Sequence, residues 1–145
     1  MAEQFNNIMN GFEELKMARA VQEALWPREG LCGPDWEVAG TCRTASNLGG
    51  DHHDWFPLPD GKVVVAIGDV AGHGIASALV GASARILLAL MAPGAEPAAI
   101  LAAMNRGFFD QAGRSKPMSM WVGIFDPLGS SRPPTFSAEG THQPS

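Results

Sequence analysis

The sequence predicts a mixed α/β (α+β) fold. Two patterns carry that reading: apolar residues at helical spacing in three stretches, and β-branched or alternating runs between them, of which Lys62-Val-Val-Val-Ala-Ile67 is the strongest. At 145 residues the chain has the size of one domain and can bury roughly 68–70% of the surface its unfolded form exposes. Hydrophobic residues make up 46% and charged ones 17%, which excludes a disordered chain. The 17 Gly and 11 Pro follow no fixed period, so they mark turns and not a collagen-like repeat.

The elements follow in order. From Phe5, the positions Ile8, Phe12, Leu15, Ala18, Val21 and Leu25 recur every three or four residues, the pattern of an amphipathic helix that ends at Trp26-Pro27. Residues 1–27 are thus set apart as a linker helix from a domain at 28–145. The helix fits two uses equally: pairing with a second chain, which would give a homodimer, or packing on its own domain. Arg28 to Pro34 reads as a Gly/Pro loop and Trp36 to Cys42 as a strand. Trp55 to Leu58 is a short strand placed at an edge by Pro57. Lys62 to Ile67 is a strand expected to be buried on both faces. Ile75 to Met91 reads as a buried helix entered through Gly72-His73-Gly74 and stopped by Pro93-Gly94. Pro97 starts another helix with Ile100, Leu101, Met104 and Phe108 inward. Met118 to Phe125 is a strand, and from Pro127 to Ser145 the chain reads as loop with a weak strand at Thr135 to Ser137.

The net charge of −5 argues against nucleic acid or an anionic membrane as partner, since neither finds a basic stripe to hold its phosphates. The apolar stretch from Ile75 to Met91 is interrupted by Gly81, Ser83 and Arg85, so no membrane span is expected. With no basic-then-apolar leader at the N-terminus, the expected location is the cytoplasm. Cys32 and Cys42 have no metal-binding spacing and are expected to be buried free thiols.

Chemistry concentrates around a hairpin. Leu58-Pro59-Asp60-Gly61-Lys62 fits a three-residue loop with Gly61 in the left-handed position. If Leu58 faces Lys62, the register continues to place Asp51 opposite Asp69. Two carboxylates across a ladder repel, and neither has a basic neighbour in sequence. A hard divalent cation, Mg²⁺ or Mn²⁺, is the economical neutraliser. Asp54 could add an oxygen or act from behind the ligands. The alternative is that Asp51, Asp54 and Asp69 are ordinary loop and turn carboxylates, but Gly49-Gly50 and Gly68, which let backbone come close, favour the metal. Gly68-Asp-Val-Ala-Gly72-His-Gly74 is a weak match to dinucleotide loops. His73 is either a proton-transfer residue or a structural one between two glycines. His52 and His53 should point to opposite faces. Arg43 and Arg85 are read as solvated or snorkelling charges.

The string from Gly49 to Gly74, with Gly49-Gly-Asp-His-His-Asp54 and Gly68-Asp-Val-Ala-Gly-His-Gly74 as its two halves, resembles the signature of PPM-type metal-dependent protein phosphatases in their SpoIIE-like (RsbU-like) bacterial branch. Ala20 to Pro27 is similar to the end of the linker helix that commonly precedes this domain. Leu101 to Asn105, Met118 to Asp126 and Ser137 to Pro144 follow the family's order. The resemblance implies an α-β-β-α sandwich of antiparallel sheets flanked by helices. It implies two Mn²⁺ or Mg²⁺ ions held by Asp51, Asp69 and the Val70 carbonyl; Asp54 and His73 are the candidates to stand behind these ligands. No side chain would be the nucleophile; a water between the metals would attack a phosphoserine or phosphothreonine, in this branch on STAS-type anti-anti-sigma regulators. The chain departs from the pattern at His52 and His53, where aromatics are usual, and at Ser137 to His142. After Asp69 the acidic residues are Glu96, Asp110, Asp126 and Glu139, and none stands in the Thr/Ser-Asp-Gly context of the family's further metal ligand. The expectation is a C-terminally truncated phosphatase domain, with an inactive binding or regulatory module as the alternative. A metal hydrolase built on His52, His53, Asp54 and His73 ranks last.

Overall fold

In the computed structural model, residues 1–42, 48–111, 116–127 and 135–140 are described, with only the backbone at 108–111 and 135–140. Its centre is an antiparallel sheet in the order β3 (Asp51–Pro57), β4 (Val63–Val70), β5 (Met118–Phe125), β6 (Thr135–Gly140). Helices α2 (Ile75–Met91) and α3 (Pro97–Gln111) bring their apolar residues to one face of it. Before the sheet come α1 (Ala2–Leu25) and a two-stranded ribbon, β1 (Leu31–Cys32) with β2 (Glu37–Val38). The architecture is the mixed α/β arrangement, antiparallel sheets flanked by helices, that the sequence predicts.

The β3–β4 turn is built as its residues require. The Leu58 amide donates to the Lys62 carbonyl at 2.7 Å and the Gly61 amide to the Leu58 carbonyl at 3.0 Å, with Gly61 at φ +85°. The register runs without a bulge from Pro57 opposite Val63 to Asp51 opposite Asp69. β3 is an edge strand, as Pro57 predicts, but starts at Asp51 and is longer than the Trp55–Leu58 expectation.

Alternation then sorts the side chains. Val64, Ala66, Val70, Met118, Met120 and Val122 point toward the helices and meet Ala84 and Leu88 of α2 and Ile100, Leu101 and Met104 of α3. Each Val, Leu, Ile or Met side chain among them contributes about 2 kcal/mol by leaving water, and the alanines less. The opposite face is thinly covered: Ile67 is 60% exposed, so β4 is not buried on both sides. α2 matches its predicted ends, with Gly72 and Gly74 at positive φ before it and Gly94 after it. It is buried along one side only, for Ile75, Leu79, Ile86 and Leu90 are exposed. Phe108 lies among the residues whose side chains are outside the description.

Four further expectations change. The strand at Trp36 to Cys42 shrinks to Glu37–Val38, because its partner Leu31–Cys32 offers only two residues and comes from the stretch read as loop. Past it the chain crosses the Trp55 ring so closely that a Cβ on Gly40 would sit 2.9 Å from it. Cys32 is exposed and Cys42 half-buried, both free, because the ribbon lies outside the core. α1 ends at Trp26 before Pro27 as predicted, yet Phe5, Ile8, Met9, Phe12, Met17 and Val21 are all exposed. At about 100° per residue the group from Phe5 to Leu15 faces away from the group from Met17 to Leu25, so the helix has no continuous apolar stripe. Its buried residue is Gln22, whose amide grips the Gly49 main chain, donating to the carbonyl at 2.8 Å and accepting from the amide at 3.4 Å. No helix among the described residues is long and apolar enough to cross a membrane.

A polar contact crosses the helix–sheet layer. Asp54 of β3 is fully buried, and Arg85 of α2 approaches its Oδ2 at 3.2 Å through Nε. Arg85 is thus an ion-pair partner and not a snorkelling charge. The alignment falls short of a hydrogen bond, leaving both Asp54 oxygens and Arg85 Nε without one. Burial pushes the Asp54 carboxyl up and Arg85 pulls it partly back. Removing the cation strands a buried carboxylate: Arg85→Met should cost about 3 kcal/mol, the lower end for broken buried pairs because Arg85 is partly exposed. Adding Asp54→Leu should recover most of that loss, both read by urea unfolding at pH 7.

Candidate metal centre

Three polar residues line up across the sheet on the face away from the helices. Asp51 lies directly opposite Asp69, and Asp69 opposite Ser119 of β5; all three are exposed. Directly opposed residues in an antiparallel pair have Cβ atoms about 4.5–5.5 Å apart, so the two carboxylates share one small volume. No Lys or Arg among the described residues pairs with either. The Cys42 thiol is 3.8 Å from Asp51 Oδ2, and burial followed by the Asp51 charge pushes that thiol up, so it stays protonated near neutral pH.

Val70 follows Asp69 where β4 gives way to the Gly72-His73-Gly74 turn. Its amide donates to the Gly50 carbonyl at 3.2 Å. Its own carbonyl faces Gly50 so closely that a Cβ there would lie 2.4 Å from the oxygen. Glycine at position 50 is therefore what keeps space at that carbonyl, one residue along the ladder from the two aspartates. Two carboxylates and a carbonyl are hard oxygen donors, the set that suits Mg²⁺ or Mn²⁺ keeping several waters. They fit such a cation, although the described residues contain no group of three His, Cys, Asp or Glu side chains able to hold a metal.

The other predicted residues disperse. Asp54 is three positions from Asp51 in a strand and so points through the sheet to the helix side, to Arg85; it cannot lend an oxygen to Asp51. His73 sits exposed in the turn between β4 and α2. His52 and His53 do face opposite ways. His52 is 3% exposed on the helix side, with Nε2 lacking a partner. His53 lies between Trp26 and Trp55, with ring centroids 5.5 and 5.4 Å away. Burial lowers His53, while Asp51 opposes the shift. A His-rich metal centre is not assembled among the described residues, because alternation puts His53 on the face opposite His52 and Asp54 and the turn holds His73 apart. Arg43, His142 and the segment 128–134 lie outside the described residues.

A cleft of about 300 Å³ opens beside Asp51, lined among others by Val38, Thr41, Cys42, His53 and Trp55. Ser119 and the cleft escaped sequence reading, since both depend on pairings that no local turn specifies.

The fold is thus a mixed antiparallel one that carries paired aspartates at the end of its β3–β4 hairpin. Residues 59–131, just over half of the chain, match the family model of stage II sporulation protein E (SpoIIE), and the chain belongs to that family. The match includes Asp69, Val70, Ser119 and the turn glycines and begins after Asp51. No curated protein matches the chain.

Burial, then the charges of His53 and Arg85, hold His52 down to about 4, against about 6.5 for a free histidine. Between these values the unfolded state binds more protons than the native one, so stability is full above about pH 6.5 and falls toward pH 4. The loss attributable to His52 should reach about 3 kcal/mol. Asp54, shifted upward, works in the opposite sense, so the effect is read as the difference between the wild-type protein and His52→Phe in urea unfolding across that range. Parallel pH profiles for the two proteins would contradict it.

Proposed function

We propose that the chain is a divalent-metal-dependent phosphatase domain that hydrolyses phosphoserine or phosphothreonine in a signalling protein, a reading the SpoIIE family match supports at the level of phosphatase class; the resemblance of the Gly49–Gly74 string makes STAS-type anti-anti-sigma regulators the proposed substrates. The observation that carries the reading is the opposition of Asp51 and Asp69 on an exposed face, beside a main-chain carbonyl kept open by Gly50. Asp51, Asp69 and the Val70 carbonyl would hold Mn²⁺ or Mg²⁺. When bound, such ions acidify water and offset the charge that builds on phosphoryl oxygens.

The protein's own part is placement. The hairpin holds both carboxylates in register on rigid strands, and the Gln22 grip on Gly49 fixes the chain one residue before Gly50. The open face beside Asp51 leaves room for a protein substrate, and the cleft between Val38 and Trp55 adjoins it. The lack of a third acidic ligand among the described residues favours a second reading, a phosphatase-like module that binds without turning over. A homodimer formed through α1 is a further proposal, supported by its exposed apolar residues.

Hydrolysis of an aryl phosphate and of a phosphoserine peptide should require Mn²⁺ and cease with a chelator. Asp51→Asn and Asp69→Asn should each lower the rate on the order of 100-fold or more, with circular dichroism unchanged. Metal-independent turnover, or full activity in either variant, would contradict the phosphatase reading; phosphopeptide binding without turnover would favour the second.

A further inference from the structure

A site made of two aspartates must still attract a phosphoryl dianion, and the chain carries a net charge of −5. Most described cations whose contacts are fixed are already committed to carboxylates. Lys16 and Arg19 pair with Glu13 and Glu23 on α1, Lys62 with Asp60 at the far end of the hairpin, and Arg85 with Asp54 beneath the sheet. Lys116 differs: its ammonium donates to a neutral acceptor, the Ala71 carbonyl, at 3.3 Å.

Its place is set by the β4–β5 ladder. Val70 pairs with Met118, and the Ala71 amide donates to the Pro117 carbonyl at 2.8 Å, which brings Lys116 alongside Gly72. A Cβ on Gly72 would lie 2.6 Å from Lys116 Nζ, so the glycine makes room for the ammonium. Ala71 is two residues from Asp69, at most about 7 Å of chain, and directly follows Val70. Nor does the fold need the lysine at this carbonyl, for the buried Ser77 hydroxyl already donates to it at 3.2 Å. An ammonium has three donors, of which the Ala71 contact uses one.

We propose that Lys116 binds the phosphoryl group of the substrate beside the Asp51–Asp69 pair, as a point charge that no other described residue supplies to the acidic site. The proposal rests on the phosphatase reading, and its test does not depend on turnover. Binding of inorganic phosphate to the intact chain is measured by equilibrium dialysis in Mg²⁺, alongside Mn²⁺ binding and the KM for a phosphoserine peptide. Lys116→Met should weaken phosphate binding on the order of 10- to 100-fold and raise KM, with Mn²⁺ affinity unchanged. Lys116→Arg should restore most of the binding. Ser77→Ala, which removes the other donor to the Ala71 carbonyl, should leave phosphate binding intact. No phosphate binding by the wild-type chain, equal binding by Lys116→Met, or an equal loss in Ser77→Ala would overturn the proposal. Lys116-dependent phosphate binding without turnover would instead count against the phosphatase reading alone.

Discussion

The register of the β3–β4 hairpin is the constraint on which the rest of the structure depends. It is set at Pro59-Asp60-Gly61, where a glycine at φ +85° lets Leu58 and Lys62 close the loop. Asp60 reinforces the turn by accepting from the Lys62 amide at 3.2 Å and pairing with its ammonium at 3.0 Å. From that point pairing is forced residue by residue to Asp51 and Asp69, some six residues away. A slip by one position would exchange the faces of β3 against those of β4, placing Asp51 among the core residues and Asp54 in solvent. The core contacts of Val64, Ala66 and Val70 with α2 and α3 guard against this, so packing on one face fixes the site on the other.

That division of the sheet into two faces accounts for the distribution of charge. On the helix side a charge is admitted only with a partner, and Asp54 has Arg85. His52, buried beside them, stays neutral through the physiological range because charging it would have to be done away from water. On the other side the carboxylates of Asp51 and Asp69 remain exposed with no described Lys or Arg paired to them, and a cation relieves their mutual repulsion. Structure and site thus use the same kind of residue in opposite ways, and strand parity decides which aspartate does which.

Much of this was readable in advance because it is local. The hairpin loop, both ends of α2, the start of α3 at Pro97 and the opposition of Asp51 to Asp69 follow from turn chemistry and periodicity within short windows. What sequence could not supply depends on contacts between distant segments. Arg85 reads as a solvent charge until α2 is laid on β3. Ser119 and Lys116 join the site only through the β4–β5 ladder, whose strands are separated by two helices. β4 is less buried than its β-branched run predicts, because such a run reports capacity for burial, while Ile67 faces an exposed side. α1 misled in the same manner: its apolar spacing is helical, but the face it presents changes halfway along.

The central claim is that Asp51 and Asp69 form one cation site while Asp54, equally acidic and three residues away, belongs to the fold. Mn²⁺ binding followed by electron paramagnetic resonance addresses this without reference to catalysis. The account predicts that the intact chain binds Mn²⁺, and that Asp51→Asn and Asp69→Asn each weaken binding by about tenfold or more through the lost ligand charge. Asp54→Asn should leave binding unchanged. No binding by the intact chain, or a loss in Asp54→Asn as large as in Asp51→Asn, would contradict it.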